Sequence, residues 1–319
     1  MSIRTRGSFM EKTFLTIGNT QIEFTCNMSK IPLVNEITVE RGDREIIPGG
    51  FGLVAAASIA ELGAHSVLCT CIGDDRYGDM LARFCRDKGV SLDSVYTDKH
   101  LSTAFLMTIA EDSGARRSAF YPGAFEGIRH SFIEEAFAKR PDCVFTSLDM
   151  PEEHVSYIAE MADLQDIPLF LDAANAPATY PFDSICGCEA FICDETQAYR
   201  IARIMPDTME NCLKCAVKLA SMVKTKCVVM KLSERGVYVY DGKYCSITPN
   251  RAKNASLVSG ASAVFAAALA YTFLQTKSME VASKYASVAL AVLENKGGGV
   301  LGLPSVEEIG AYCKENNIN

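Results

Sequence analysis

The sequence predicts an α/β fold with a mostly parallel central sheet, helices on both of its faces, and a small outlying β-sheet. Three observations predict it. Short apolar runs of strand length alternate with helical periods between residues 143 and 231, and such alternation implies right-handed crossovers between parallel strands. Glycine-bearing turns follow the runs ending at Ile47 and Ile72 and precede Ala261; in an open α/β sheet the ligand edge lies at such turns, outside the strands' carboxyl ends. Residues 21–47 and 103–121 read as strands outside the buried alternation.

Taken in order, residues 1–12 are set apart as an N-terminal extension, since Met10 could itself be a start, and the α/β domain covers 13–319. Residues 13–17 form an apolar run ending in Gly18, the first buried strand. The mixed pattern of 21–47 fits strands of the small sheet. Gly49-Gly50-Phe51-Gly52 then opens a helix over 53–62, closed by Gly63. Residues 66–72 give a second buried strand, and Gly73-Asp74-Asp75-Arg76-Tyr77-Gly78 turns into a helix over 79–88 that Gly89 is placed to cap. Strands over 103–110 and 115–121, with a polar turn between them, form a hairpin that pairs with the earlier outlying strands.

After Pro122-Gly123 the alternation begins. Strands are expected over 143–147, 168–172, 190–193 and 227–231, and helices over 152–164, 195–204 and 212–222. A hairpin over 237–240 and 243–247 turns at Asp241-Gly242. Residues 254–271 place small and hydroxyl residues ahead of an almost unbroken apolar helix; helices over 279–294 and 306–315 follow. Ser256 and Ser259 are N-cap residues by type, and Gly260 and Ala261 leave the backbone open to a ligand. A helix start of that kind can hold a phosphate, although a buried helix needing a tight entry turn would look the same.

Composition narrows the function classes. The chain has 319 residues, 49% hydrophobic and 22% charged, enough for a large core. A net charge of −8 argues against nucleic-acid or anionic-membrane partners. No apolar run approaches the roughly 20 residues of a membrane span, and no apolar stretch of a signal peptide follows Arg4 and Arg6. The 13 cysteines are scattered, mostly in apolar runs (Cys69, Cys71, Cys143, Cys193, Cys227), as expected of reduced thiols in a cytoplasmic protein. Cys212-x-x-Cys215 sits in a helical pattern without a second pair, and Cys186-x-Cys188 has none either, so no metal site is expected.

The order of these motifs resembles the ribokinase family, the PfkB-type carbohydrate kinases. Gly49-Gly50-Phe51-Gly52 with its helix resembles the first signature, Gly73 to Gly78 the G-x-D-x-x-G turn, and Lys231-Leu232-Ser233-Glu234-Arg235-Gly236-Val237 the strand-turn-strand that frames the nucleotide. Residues 256–269 stand where the second signature, D-T-x-G-A-G-D-A-F, is expected. The resemblance implies a ribokinase-like three-layer sandwich with a β lid from about 21–47 and 102–121, which closes over sugar and often mediates homodimers. It also implies ATP and Mg2+, a sugar-like or nucleoside-like ligand, and transfer of the γ-phosphate to a hydroxymethyl group. By resemblance Ser259, Gly260 and Ala261 form the anion hole and Ser262 takes the place of the base. Glu23, Gly49, Gly50, Gly52, Val54 and Asp149 face the substrate; Asp194, Gln197, Lys231, Ser233 and Gly236 face the nucleotide.

The departures from the family are concentrated at the reaction centre. Ser262 stands for the catalytic Asp, Glu23 for an Asp on the sugar, Val54 for a substrate-binding Asn, and Ser256 for the Asp that opens the second signature. Gln197 stands for the Glu of N-x-x-E, and Ser233 for a glycine. An unactivated hydroxyl is far too weak a base at neutral pH, and losing a positioned base costs about 10²–10⁴ in rate. Positioning and charge stabilisation would remain. Three readings compete. One is a kinase-fold protein that binds nucleotide or sugar-like ligand with impaired transfer; the second is an active kinase with an unusual substrate and a base relocated to Asp149, Asp172 or Asp194, each of which could instead be a cap or loop carboxylate. The third is an oligomerising structural protein. The residues at the centre favour the first.

Overall fold

The computed structural model describes residues 12–40, 44–252 and 259–318. From the amino end it gives β1 (Thr13–Ile17), β2 (Gln21–Met28), β3 (Arg44–Gly49), α1 (Phe51–Glu61), β4 (His65–Gly73), α2 (Arg76–Asp87), β5 (Val90–Asp98), β6 (Ala104–Glu111) and β7 (Arg116–Tyr121). There follow α3 (His130–Phe137), β8 (Cys143–Ser147), α4 (Glu152–Leu164), β9 (Leu169–Asp172), β10 (Cys188–Asp194), α5 (Glu195–Ala202), α6 (Met209–Val223) and β11 (Thr225–Lys231). The chain closes with β12 (Val237–Tyr240), β13 (Cys245–Thr248), α7 (Ala261–Thr276), α8 (Met279–Asn295) and α9 (Val306–Glu315).

Among the described residues the larger sheet has nine strands in the order β13-β12-β11-β10-β9-β8-β1-β4-β5. From β11 to β5 every neighbouring pair is parallel; β12 and β13 append an antiparallel hairpin. Parallel strands covered on both faces should be apolar on both. Phe14, Phe145 and Phe170 accordingly pack into one core with α1, α7 and α8, while Leu15, Val144 and Leu171 pack into the other with α3, α4, α5 and α6. Helices α1 and α7 are buried nearly all round, at 52–59 and 263–272, as interior helices must be when they lie between a sheet and further helices.

The second, smaller sheet has the order β3-β2-β6-β7. Its two inner strands run parallel along their whole length, Gln21↔Ala104 to Met28↔Glu111, with an antiparallel strand on each side.

Some elements differ from the sequence reading. β5 and α3 were not foreseen, and α2 begins at Arg76 because Asp75 caps it, accepting from the Tyr77 and Gly78 backbone N–H groups. Likewise α6 starts at Met209, capped by Thr208. The N-cap of α7 is Gly260, with no side-chain cap, so Ser259 does not play that part; Ser256 lies outside the described residues. No helix among the described residues is long and apolar enough to cross a membrane.

Candidate active site

Adjacent parallel strands end together, so their last residues share one edge. Ser147 of β8 stands level with Asp172 of β9, and Asp194 of β10 level with Lys231 of β11. Over this edge the smaller sheet and the starts of α1 and α7 enclose a cleft of about 690 Å³, a volume that suits a small-molecule ligand.

The start of α7 offers unpaired backbone N–H groups to the cleft. Its first intrahelical bond runs from Val264 N to Gly260 O, which leaves the N–H groups of Ala261, Ser262 and Ala263 without helical acceptors. Gly260, Ala261, Ser262 and Ala263 all line the cleft. Gly260 holds φ at 80°, where a side chain is strained, and an added Cβ would stand 3.1 Å from Val54 Cγ1. The starts of α1 and α7 therefore touch. Ser259 does not line the cleft; its hydroxyl donates to Glu23 Oε2 at 3.4 Å.

Ser262 is bound on two sides. Its hydroxyl donates to Asp172 Oδ2 at 2.6 Å, and Lys231 Nζ donates to its oxygen at 2.8 Å. Asp172 is only 2% exposed and also accepts the Ala174 backbone N–H. α7 has no acidic residue in its first turn. The Asp172 carboxylate is thus one hydroxyl removed from the first turn of α7.

A second carboxyl group, Asp149, lines the cleft and is exposed to it. Partial desolvation in the cleft raises its pKa to about 6; the Ser147 hydroxyl bonded to it pulls the other way, and the Asp172 carboxylate adds to the rise.

Beside the α7 start, on the side of the small sheet, a polar ladder runs along the start of β2. Asn19 donates to Gln21 at 3.2 Å and Gln21 to Glu23 at 3.3 Å, while Glu23 also accepts the Gly50 N–H at 3.3 Å. Glu23, Gly50 and Val54 line the cleft together with Phe51, Leu106, Phe120 and Leu148. Gly49 and Gly52 serve the backbone instead. A Cβ on Gly49 would meet Glu23, and one on Gly52 would stand 2.7 Å from the Gly18 carbonyl.

A model of the pfkB family of carbohydrate kinases matches residues 12–305. The chain belongs to the pfkB carbohydrate kinase family. Among curated relatives it is 24% identical to a ribokinase of Schizosaccharomyces pombe over 84% of this chain and 87% of that one. It is 22% identical to a deoxyribokinase of Salmonella typhi over 94% and 98%. The fold is ribokinase-like: Arabidopsis thaliana ribokinase, solved with ribose and ATP, superposes with a TM-score of 0.86 at 20% identity, covering 96% of this chain and 99% of that one. A ribokinase of Cryptococcus neoformans in complex with ADP gives 0.77 at 16% identity, covering 96% of this chain and 100% of that one.

In this pfkB-family chain the motif residues nearest β10 and β11 divide between lining and bracing. Asp194, Gln197, Lys231, Ser233 and Gly236 all line the cleft. Asp194 and Gln197 form a capping box at α5, and Gln197 Nε2 donates to the Ala174 carbonyl at 2.9 Å, so both polar atoms of the Gln197 amide are engaged. Ser233 has φ 46°, the left-handed region in which glycine is at ease. Its hydroxyl donates to Glu195 at 2.7 Å and its carbonyl accepts Asn250.

Magnesium in phosphoryl transfer needs only one or two carboxylates besides substrate phosphates and water. The described residues hold no cluster of three or more His, Cys, Asp or Glu able to bind a metal by themselves. Asp194 engages Oδ1 in its cap, so its other oxygen and the Asp149 carboxyl are the groups that fit a hydrated ion shared with a nucleotide.

The Gly73 to Gly78 turn does not line the cleft. It ties the small sheet to the body: Asp75 accepts both the N–H and the hydroxyl of Thr103 at 2.8 Å, just ahead of β6. Sequence reasoning missed Asn19, Gln21, Phe51, Leu106, Phe120, Asn175 and Asn250 in the lining. The spacing of Asn19, Gln21 and Glu23 was the available signal, since alternate residues of a strand share a face. Cys212 and Cys215 are wholly buried, and none of the 13 cysteines forms a disulfide.

Proposed function

We propose that this chain binds ATP with Mg2+ on the β11 side of the α7 start and a sugar-like or nucleoside-like ligand on its Glu23 side, and that phosphoryl transfer to a hydroxymethyl group is impaired. The observation that carries this reading is Ser262, with its hydroxyl committed to Asp172 and its oxygen to Lys231 where the family places a carboxylate. The N–H groups of Ala261, Ser262 and Ala263 do not depend on side-chain identity, so phosphate affinity survives the loss of the base. Lys231 adds the positive charge; Ser233, Gly236 and Asn250 border the nucleotide side, and Asp194 and Asp149 are placed for magnesium, which would neutralise phosphate charge. Val54, Leu106 and Phe120 disfavour a ligand with hydroxyls on that edge, since these would be left unpaired.

The test compares the unaltered chain with Ser262→Asp for ATP turnover against ribose, 2-deoxyribose, fructose and nucleosides, alongside thermal shift with ADP. Robust turnover by the unaltered chain would sink the impaired reading, and no shift with ADP in the millimolar range would sink nucleotide binding.

A second reading, an active kinase with a relocated base, is favoured by Asp149, whose pKa near 6 suits proton transfer at neutral pH. Asp172 reaches the cleft only through Ser262, and Asp194 acts as a cap. We further propose that the small sheet serves as a lid and a homodimer contact, supported by the exposed Leu33, Val34, Ile37 and Val39 between β2 and β3. A reducing, cytoplasmic setting fits the free cysteines.

A further inference from the structure

We infer that Ser262 is itself a phosphate acceptor, modified in place by the nucleoside triphosphate bound in its own cleft. The inference rests on the nucleotide-binding reading above and adds a covalent modification site to it.

Hydroxyl activation requires a base within hydrogen-bond reach of the nucleophile. Asp172 Oδ2 lies 2.6 Å from Ser262 Oγ and takes its hydrogen, inside a pocket where Asp172 is 2% exposed. A hydroxyl oxygen carries two lone pairs. Lys231 Nζ occupies one at 2.8 Å, and the other remains for bond formation. Ser262 also lies beside the unpaired N–H groups of the α7 start, the place where a terminal phosphate would sit. Base, hydroxyl and anion site thus meet at one residue.

The step balances without a further reactant. Ser262 Oγ bonds to the γ-phosphorus, and the bond from that phosphorus to the oxygen bridging to the β-phosphate breaks. The electron pair leaves with the nucleoside diphosphate, and the hydroxyl proton passes to Asp172. The product is stabilised where it forms. A phosphoserine on the first turn of α7 meets the positive end of the helix, and Lys231 can turn from the hydroxyl to a phosphate oxygen. The Asp172 carboxylate opposes this, and the proton it has gained relieves the repulsion. A phosphate on Ser262 then fills the anion site, so the reaction stops after one event per chain.

The experiment incubates the full chain with Mg2+ and γ-labelled ATP in the absence of any sugar, and maps the label by peptide mass spectrometry. Thermal shift with ADP reports nucleotide binding independently. The expected result is up to one phosphate per chain on Ser262, absent from Ser262→Ala, and incorporated about 10²-fold or more slowly by Asp172→Asn. Circular dichroism checks both variants; should Asp172→Asn fail to fold, the comparison with Ser262→Ala still decides. An unmodified Ser262 in a chain that ADP stabilises overturns the inference and leaves the nucleotide reading standing. Label that persists in Ser262→Ala overturns it as well. Absence of both label and ADP stabilisation overturns the two together.

Discussion

Replacing Ser262 with aspartate puts a carboxylate back on the first turn of α7, within reach of Lys231. If the rest of the centre is intact, transfer to an accepted sugar should rise about 10²–10⁴-fold over the unaltered chain, measured as ADP release. Asp149 offers a test that needs no substrate. Desolvation in the cleft favours its protonated form, so its folded pKa, about 6, lies above the ordinary carboxylate value. The stability linked to that proton is fully present below about pH 4, and it is lost as pH rises through about 6. Asp149→Asn should therefore raise Tm at pH 7.5 and leave it nearly unchanged at pH 4; equal shifts at the two pH values would refute the assignment. If Asp149 is instead the working base, turnover climbs through the same pH range and Asp149→Asn abolishes it. The residues that could be read from sequence were those inside motifs, such as Gly50, Lys231 and Ser262. Asn175 and Asn250 come from turns without a recurring pattern, and only the folded sheet edge brings them to the cleft. The Ser262–Asp172 bond spans 90 positions, so no local reading could reveal it.

At the scale of elements, hydrophobic run length was the dependable signal. β8, α4, β12 and α9 have the bounds expected, because each is either a buried apolar strand or a helix with one clear apolar stripe. β5 escaped notice because it is an edge strand, half exposed and rich in Ser and Asp. α3 has only eight residues and no side-chain cap. The Asp75 turn shows why a motif can be recognised and still be misplaced in function: its carboxylate braces α2 and Thr103 rather than the cleft. Burial alone would raise its pKa, but the hydrogen bonds from Thr103, Gly78 and Tyr77 hold it below the usual range. Asp75→Ala removes a cap and leaves the buried Thr103 N–H unpaired, a loss of about 2–4 kcal/mol by chemical denaturation. Because the folded pKa is lowered, Asp75 contributes fully above about pH 4, and the contribution fades as pH falls through the folded value. The penalty of the substitution should shrink in acid.

At the scale of the whole molecule, the exposed side chains of Leu33, Val34, Ile37 and Val39 are the clearest unexplained apolar surface. Such surface marks an interface more often than a free face. If copies associate there, Val34→Glu with Ile37→Glu should shift sedimentation from dimer to monomer while the thermal transition of the monomer stays in place. A sedimentation coefficient that does not change would locate any dimer contact elsewhere. The two-layered core and the order of the sheet were open to sequence reasoning because parallel strands and crossover helices leave few alternative arrangements. Whether the small sheet meets another chain is decided by shape, which composition does not encode.

The connection between β3 and α1 has a mechanical consequence. β3 ends at Gly49 and α1 begins at Phe51, so a single residue separates the outer sheet from an interior helix. Four residues into that helix, Val54 lies against Gly260 at the head of α7. There is no slack in this linkage: a rotation of the outer sheet would be delivered to the start of α7 through packed atoms rather than through a loop. Hydrogen–deuterium exchange should report it as synchrony, with the amides of β3 and of the first turn of α7 slowing together when ADP binds. Protection confined to α7 would mean that the linkage yields.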